Sequence, residues 1–240
     1  MSSSTPTVVL VHGAFADGSS WAQVVERLRA QGVEALAVGN PLRGLTHDGE
    51  YVASLVKQID GPVVLVGHSY GGPVITYAGS RADNAKALVY VASFGVDKGE
   101  SALGSVAEFP EVELATSLVP HQFPSGDGTD TEFTIREDVF ASVFAADLPA
   151  EVTAVAAVSQ RPVAQAALGE PLGVEPAWKA LPSWFAVATA DNAIHPDSQR
   201  AAAKRLGATT IEVEGGSHAI AVSHPDEVAA LVLAAVRSLG

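Results

Sequence analysis

The chain has 240 residues, 48% hydrophobic and 17% charged, which is enough to bury a proper core and too apolar for a disordered segment. Its formal net charge of −13 argues against nucleic acid and against anionic membrane surfaces as partners. With no cysteine it can build no disulfide framework, thiolate nucleophile or thiolate metal site.

The segment Met1–Pro6 lacks a basic run and a long apolar stretch, so no signal peptide is expected. No span approaches about 18 uninterrupted apolar residues, the length a membrane helix needs, and a cytoplasmic location is the expectation. Residues 7–12 read as a short strand apolar on both faces, as in a helix-covered parallel sheet. A helix over 19–31 follows, with Ser19 or Ser20 as N-cap and Gly32 as its stop. Strand 34–38, loop 40–44 and helix 48–59 lead to Gly61-Pro62 and to the run Val63-Val64-Leu65-Val66. Another strand is expected over 87–92.

From Ser93 to about Leu181 the β-α alternation stops. A polar run lies at 125–130, and short helical patterns follow at 136–146 and 150–159. An insertion of this size at the C-terminal edge of a sheet reads as a helical cap over a site; the plainer reading is an embellishment far from any site. The sheet resumes at 184–188, helix 196–206 precedes strand 210–213, and an amphipathic helix over 225–239 closes the chain. The expected organisation is one α/β domain with its core in 7–93 and 182–239 and the cap at about 94–181.

The chemistry centres on Gly67-His68-Ser69-Tyr70-Gly71-Gly72, which sits between the apolar run and a helical pattern. A strand that turns abruptly into a helix with serine at its apex needs glycine where a Cβ would strike backbone. Such a turn lifts the hydroxyl clear of the sheet and puts the Tyr70 amide at a helix N-terminus, where an oxyanion can be held. Serine is a weak nucleophile without a base, and the base needs an orienting acid. Asp191 follows strand 184–188 and His218 follows the last strand, both at the sheet edge that carries Ser69.

The seven histidines are His12, His47, His68, His121, His195, His218 and His224. Among them His195, in the Asp191 loop, is the rival base. Asp197 is the rival acid, with complementation of a helix dipole as its plainer role. His68 reads as an inward-packing elbow residue and His224 as a cap or loop residue before Pro225. Asp60 and Asp226 occupy ordinary positions. After the first strand, His12-Gly13 places the Ala14 amide to pair with that of Tyr70 as an oxyanion hole.

Taken together, His12-Gly13-Ala14-Phe15, Gly67-His68-Ser69-Tyr70-Gly71-Gly72, the Asp191 loop and Gly216-Ser217-His218 resemble an α/β-hydrolase. The likeness runs from about residue 7 to 239 and is weakest in the cap. In outline the chain is similar to the compact branch of plant methylesterases, hydroxynitrile lyases and bacterial carboxylesterases. The resemblance implies a mostly parallel sheet of six or more strands flanked by helices. It also implies a Ser69–Asp191–His218 triad, an Ala14/Tyr70 oxyanion hole, and neither metal nor organic cofactor. The branch often has a charged residue after the acid, where this chain has Asn192.

The reaction implied is hydrolysis of a small-molecule carboxylic ester. Ser69 argues against the dehalogenases and epoxide hydrolases of this fold, which use aspartate at the elbow. The lyases place lysine after the histidine and threonine in the oxyanion loop, where this chain has Ala219 and Gly13. The alternatives are a non-catalytic small-ligand-binding protein on the same scaffold and a perhydrolase or hydroxynitrile-lyase-like activity. The expected partners are an ester substrate, no nucleic acid and no membrane, with a homodimer as an admissible assembly.

Overall fold

The computed structural model describes residues 5–240; residues 1–4, on which the expectation of no signal peptide partly rests, lie outside the described residues. The chain first forms β1 (Thr7–Val11), α1 (Ala22–Ala30), β2 (Ala35–Val38), α2 (Leu45–Val56), β3 (Val63–His68), α3 (Gly71–Gly79) and β4 (Ala85–Val91). An insertion then carries β5 (Leu118–Ser125), β6 (Gly128–Ile135), α4 (Phe140–Phe144), α5 (Ala150–Val158), β7 (Val163–Ala164) and α6 (Gln165–Gly169). The chain ends with β8 (Ser183–Ala188), α7 (Pro196–Arg205), β9 (Thr209–Val213), α8 (Ile220–Ser223) and α9 (Pro225–Arg237). No helix among the described residues is long and apolar enough to cross a membrane.

Six strands pair in parallel in the order β2-β1-β3-β4-β8-β9. Alternate residues of the central strands serve opposite faces. Val9, Val11, Val63 and Leu65 join one core with α2 and α3, while Val8, Leu10, Val64 and Val66 join the other with α1 and α9. Burial on both faces explains why β1 and β3 read as unbroken apolar runs rather than alternating ones.

Two readings of the chain are corrected. The first helix begins at Ala22, because a 3-10 turn over Gly18–Trp21 precedes it, and that turn is capped by Asp17 rather than Ser19 or Ser20. The Asp17 carboxylate accepts the Ser19 amide at 2.7 Å. Gly32, at φ +75°, does follow the helix end. The insertion is not wholly helical: β5 and β6 pair antiparallel from Leu118↔Ile135 to Ser125↔Gly128, and β7 adds to β6. The polar run at 125–130 includes the turn of this hairpin.

Close packing at the β3–α3 turn yields a stability prediction. A Cβ at Gly67 would overlap the Gly71 carbonyl and lie 2.7 Å from the Gly72 nitrogen, both backbone groups that cannot swing aside. Gly67→Ala is therefore expected to cost about 3 kcal/mol or more in urea unfolding. Gly39→Ala, where a Cβ meets nothing within 4 Å, should cost less than about 0.5 kcal/mol. Equal midpoints for the two variants would contradict this account of the turn.

Candidate active site

Ser69 follows β3 at φ +52°, in the left-handed region that side chains other than glycine rarely adopt. Its backbone is clamped: Ser69 N–H donates to Val91 O (3.0 Å), and Ser69 O accepts from Gly72 N–H (2.9 Å) and the Ser93 hydroxyl (2.6 Å). Tyr70 is the N-cap of α3. The loop that carries Gly13 and Ala14 lies against the same turn, since a Cβ on Gly13 would stand 2.7 Å from Ser69 Cβ. Ala14 and Tyr70 are buried, yet neither amide donates a hydrogen bond to protein among the described residues. Buried, unpaired N–H groups are rare away from functional sites.

Asp191 and His218 meet as the strand order predicts. His218 Nδ1 donates to Asp191 Oδ2 at 2.7 Å, and both side chains are buried. With its proton on Nδ1, the ring keeps a basic lone pair on Nε2. Asp191 is held by three further donors: the Ala193 and Ile194 amides on Oδ1 (2.7 and 2.9 Å), and Gln199 Nε2 on Oδ2 (2.7 Å). Gln199, fully buried on α7, is a partner that the motifs of the sequence do not single out. Its carbonyl accepts Ala188 N–H at 3.0 Å, so it ties the acid to the end of β8. A polar residue on the buried face of an amphipathic helix eight positions after the acid was the available signal.

The rivals make other contacts. His195 accepts the Asp197 amide at Nδ1 (3.2 Å) as the N-cap of α7, and Asp197 pairs with Arg200 (2.8 Å). His68 packs inward and donates from Nε2 to His218 O (2.9 Å), and His224 is the N-cap before Pro225. The Tyr70 hydroxyl donates to the buried Asp48 carboxylate at 2.9 Å, and burial raises the phenol well above its ordinary range. Among the described residues no group of three or more His, Cys, Asp or Glu side chains is gathered for a metal ion.

Ser69 and His218 open on one cavity of about 390 Å³, walled by the core and by the insertion. Among the described residues no side-chain hydrogen bond reaches the Ser69 hydroxyl. Ser69 and His218 thus share a cavity wall, a placement compatible with a catalytic pair before substrate tightens it. Phe15, Phe94 and Phe144 line this cavity, while Trp21, Phe123, Phe140, Trp178 and Trp184 do not. Among the described residues no Lys or Arg lines it, and Glu111 is its one carboxylate. The Phe144 ring meets His218 edge-on at 4.8 Å.

A family model for the alpha/beta hydrolase family matches residues 8–231. The chain belongs to the alpha/beta hydrolase family. Among solved structures of this fold, polyneuridine aldehyde esterase is 18% identical with a TM-score of 0.81, over 96% of this chain and 99% of that one. A methylesterase from Arabidopsis is 20% identical with a TM-score of 0.80, over 97% and 99% of the two chains. A pyrethroid hydrolase from Sphingobium faniae gives 20% and 0.78 over 98% of each chain. By sequence, a carbendazim hydrolyzing esterase from Nocardioides sp. is 28% identical over 124 residues, 46% of this chain. The chain spans about half the length, 51%, of that curated relative.

Two buried histidines in this alpha/beta hydrolase site make its stability sensitive to acid. Burial, the neighbouring His218 and His12 hold His68 down to about 3, against a backbone hydrogen bond that raises it. Burial lowers His12 as well, whose Nδ1 donates to Gly13 O (2.8 Å) and whose Nε2 accepts Asn40 N–H (2.9 Å). Both folded values lie below the unfolded one, so the unfolded chain takes up protons first as pH falls. Stability is expected to drop from about pH 6.5 downward, with His68 alone contributing on the order of 3 kcal/mol by pH 4. Urea midpoints that stay level between pH 7 and pH 5 would contradict this.

Proposed function

We infer that this protein is a serine esterase acting on neutral, apolar carboxylic esters through an acyl-enzyme. One observation carries the reading: Ser69, strained at the strand-to-helix turn, and His218, bonded through Nδ1 to Asp191, open on a single apolar cavity. The relatives supply the reaction class, being named esterases and hydrolases.

In this cycle Ser69 Oγ attacks the ester carbonyl while His218 Nε2 takes its proton. The Asp191 carboxylate fixes the ring and stabilises the imidazolium. The Ala14 and Tyr70 amides hold the developing oxyanion, each such donor typically contributing about 2.7–4 kcal/mol in the transition state. Collapse expels the alkoxide, which is protonated by His218. Water, deprotonated by the same nitrogen, then releases the acid and restores Ser69.

The apolar lining selects the substrate. A carboxylate carried into it would lose its water and find no Lys or Arg to pair with, a penalty of several kcal/mol. With p-nitrophenyl esters, kcat/KM for hexanoate or benzoate is expected to exceed that for the hemisuccinate by at least about 100-fold. Equal values would contradict the neutral-ester assignment.

A further inference from the structure

Two hydrogen-bonded tethers join the insertion to the loops that carry Asp191 and His218. At the acid loop, Leu114 N–H donates to Asn192 O (3.2 Å) and Asn192 Nδ2 donates to Ser142 O (3.0 Å). At the base loop, Asp147, in the turn between α4 and α5, accepts Ser217 N–H at 3.1 Å and also accepts the Ser217 hydroxyl. That hydroxyl oxygen in turn accepts Ala219 N–H at 3.3 Å. One carboxylate from the insertion therefore brackets His218, reaching the residue before it directly and the residue after it through Ser217 Oγ. The same stretch supplies Phe144, whose ring packs on His218.

We propose that Asp147 is a positioning residue for His218, gripping the backbone on both sides of it and so setting the ring against Asp191. This rests on the esterase reading above. The carboxylate is well placed for the task. Burial works to raise it, but the Ser217 and Ser223 hydroxyls and the Ser217 amide outweigh that and hold it below the usual range. His224 Nδ1 also faces it at 3.4 Å. Ser217 is buried, so loss of the acceptor leaves an amide with neither water nor a protein partner. Neither Asp147 nor Ser217 lines the cavity, so their loss should act on turnover rather than on substrate binding.

The test compares Asp147→Ala, Asp147→Asn and Ser217→Ala in the full chain with p-nitrophenyl hexanoate. Asp147→Ala is expected to lower kcat about tenfold and leave KM within about twofold, a misplacement effect. Asp147→Asn should recover most of the loss, because its amide oxygen can still accept the Ser217 N–H. Ser217→Ala, which keeps that amide bond, should lose about threefold, and it serves as the test if Asp147→Ala does not fold. A second readout needs no turnover: the downfield NMR resonance of the His218 Nδ1 proton should broaden in Asp147→Ala and persist in Asp147→Asn. If the wild type shows no ester turnover while the resonance behaves this way, the esterase reading fails and the positioning role stands. An Asp147→Ala enzyme with wild-type kcat and an unchanged resonance, or equal losses in the Ala and Asn variants, would overturn the proposal.

Discussion

Ser69→Ala is expected to lower ester turnover by at least roughly four orders of magnitude, leaving only what the oxyanion donors and binding supply. The reason is local. Among the described residues the hydroxyl is the one Ser, Thr or Cys nucleophile on the cavity wall beside His218, and alanine removes it without disturbing the clamp, which uses only the Ser69 backbone. Thermal unfolding should therefore change little between the two proteins. Turnover of the variant within tenfold of wild type would place the nucleophile elsewhere.

His218→Ala should cost nearly as much, since members of such a unit act together. His195→Ala should stay within about fivefold, through loss of a helix cap worth about 1 kcal/mol. Both histidines line the cavity, but only His218 is bonded to the buried Asp191; His195 spends Nδ1 on the Asp197 amide. Steady-state kinetics on the two variants decide between them, and the reverse ranking would transfer the base role to His195.

The sheet and the elbow were legible because β1 and β3 are buried on both faces and because the turn after β3 needs glycine at Gly67. The pairing of Asp191 with His218 was legible from topology: both follow late strands of a parallel sheet, whose C-terminal ends meet at one edge. The hairpin of the insertion was not. Most of its side chains are exposed or half-buried, and Pro120 and Pro124 interrupt β5, so no apolar alternation marks the strands. Its remaining signal was Gly126-Asp127-Gly128 between two β-prone runs, a turn pattern. Gln199 and Asp147 escaped for another reason. Their roles depend on contacts made only after folding, and Asp147 meets a serine 70 positions away.

The assignment of Ser69 is tested most directly by covalent capture. Incubation with a p-nitrophenyl alkylphosphonate, followed by digestion and mass spectrometry, should find one phosphonate per chain, on Ser69. Labelling should vanish in Ser69→Ala and slow strongly in His218→Ala, while His195→Ala labels at close to the wild-type rate. A stoichiometric adduct on any other residue, or none while ester turnover persists, would contradict the account.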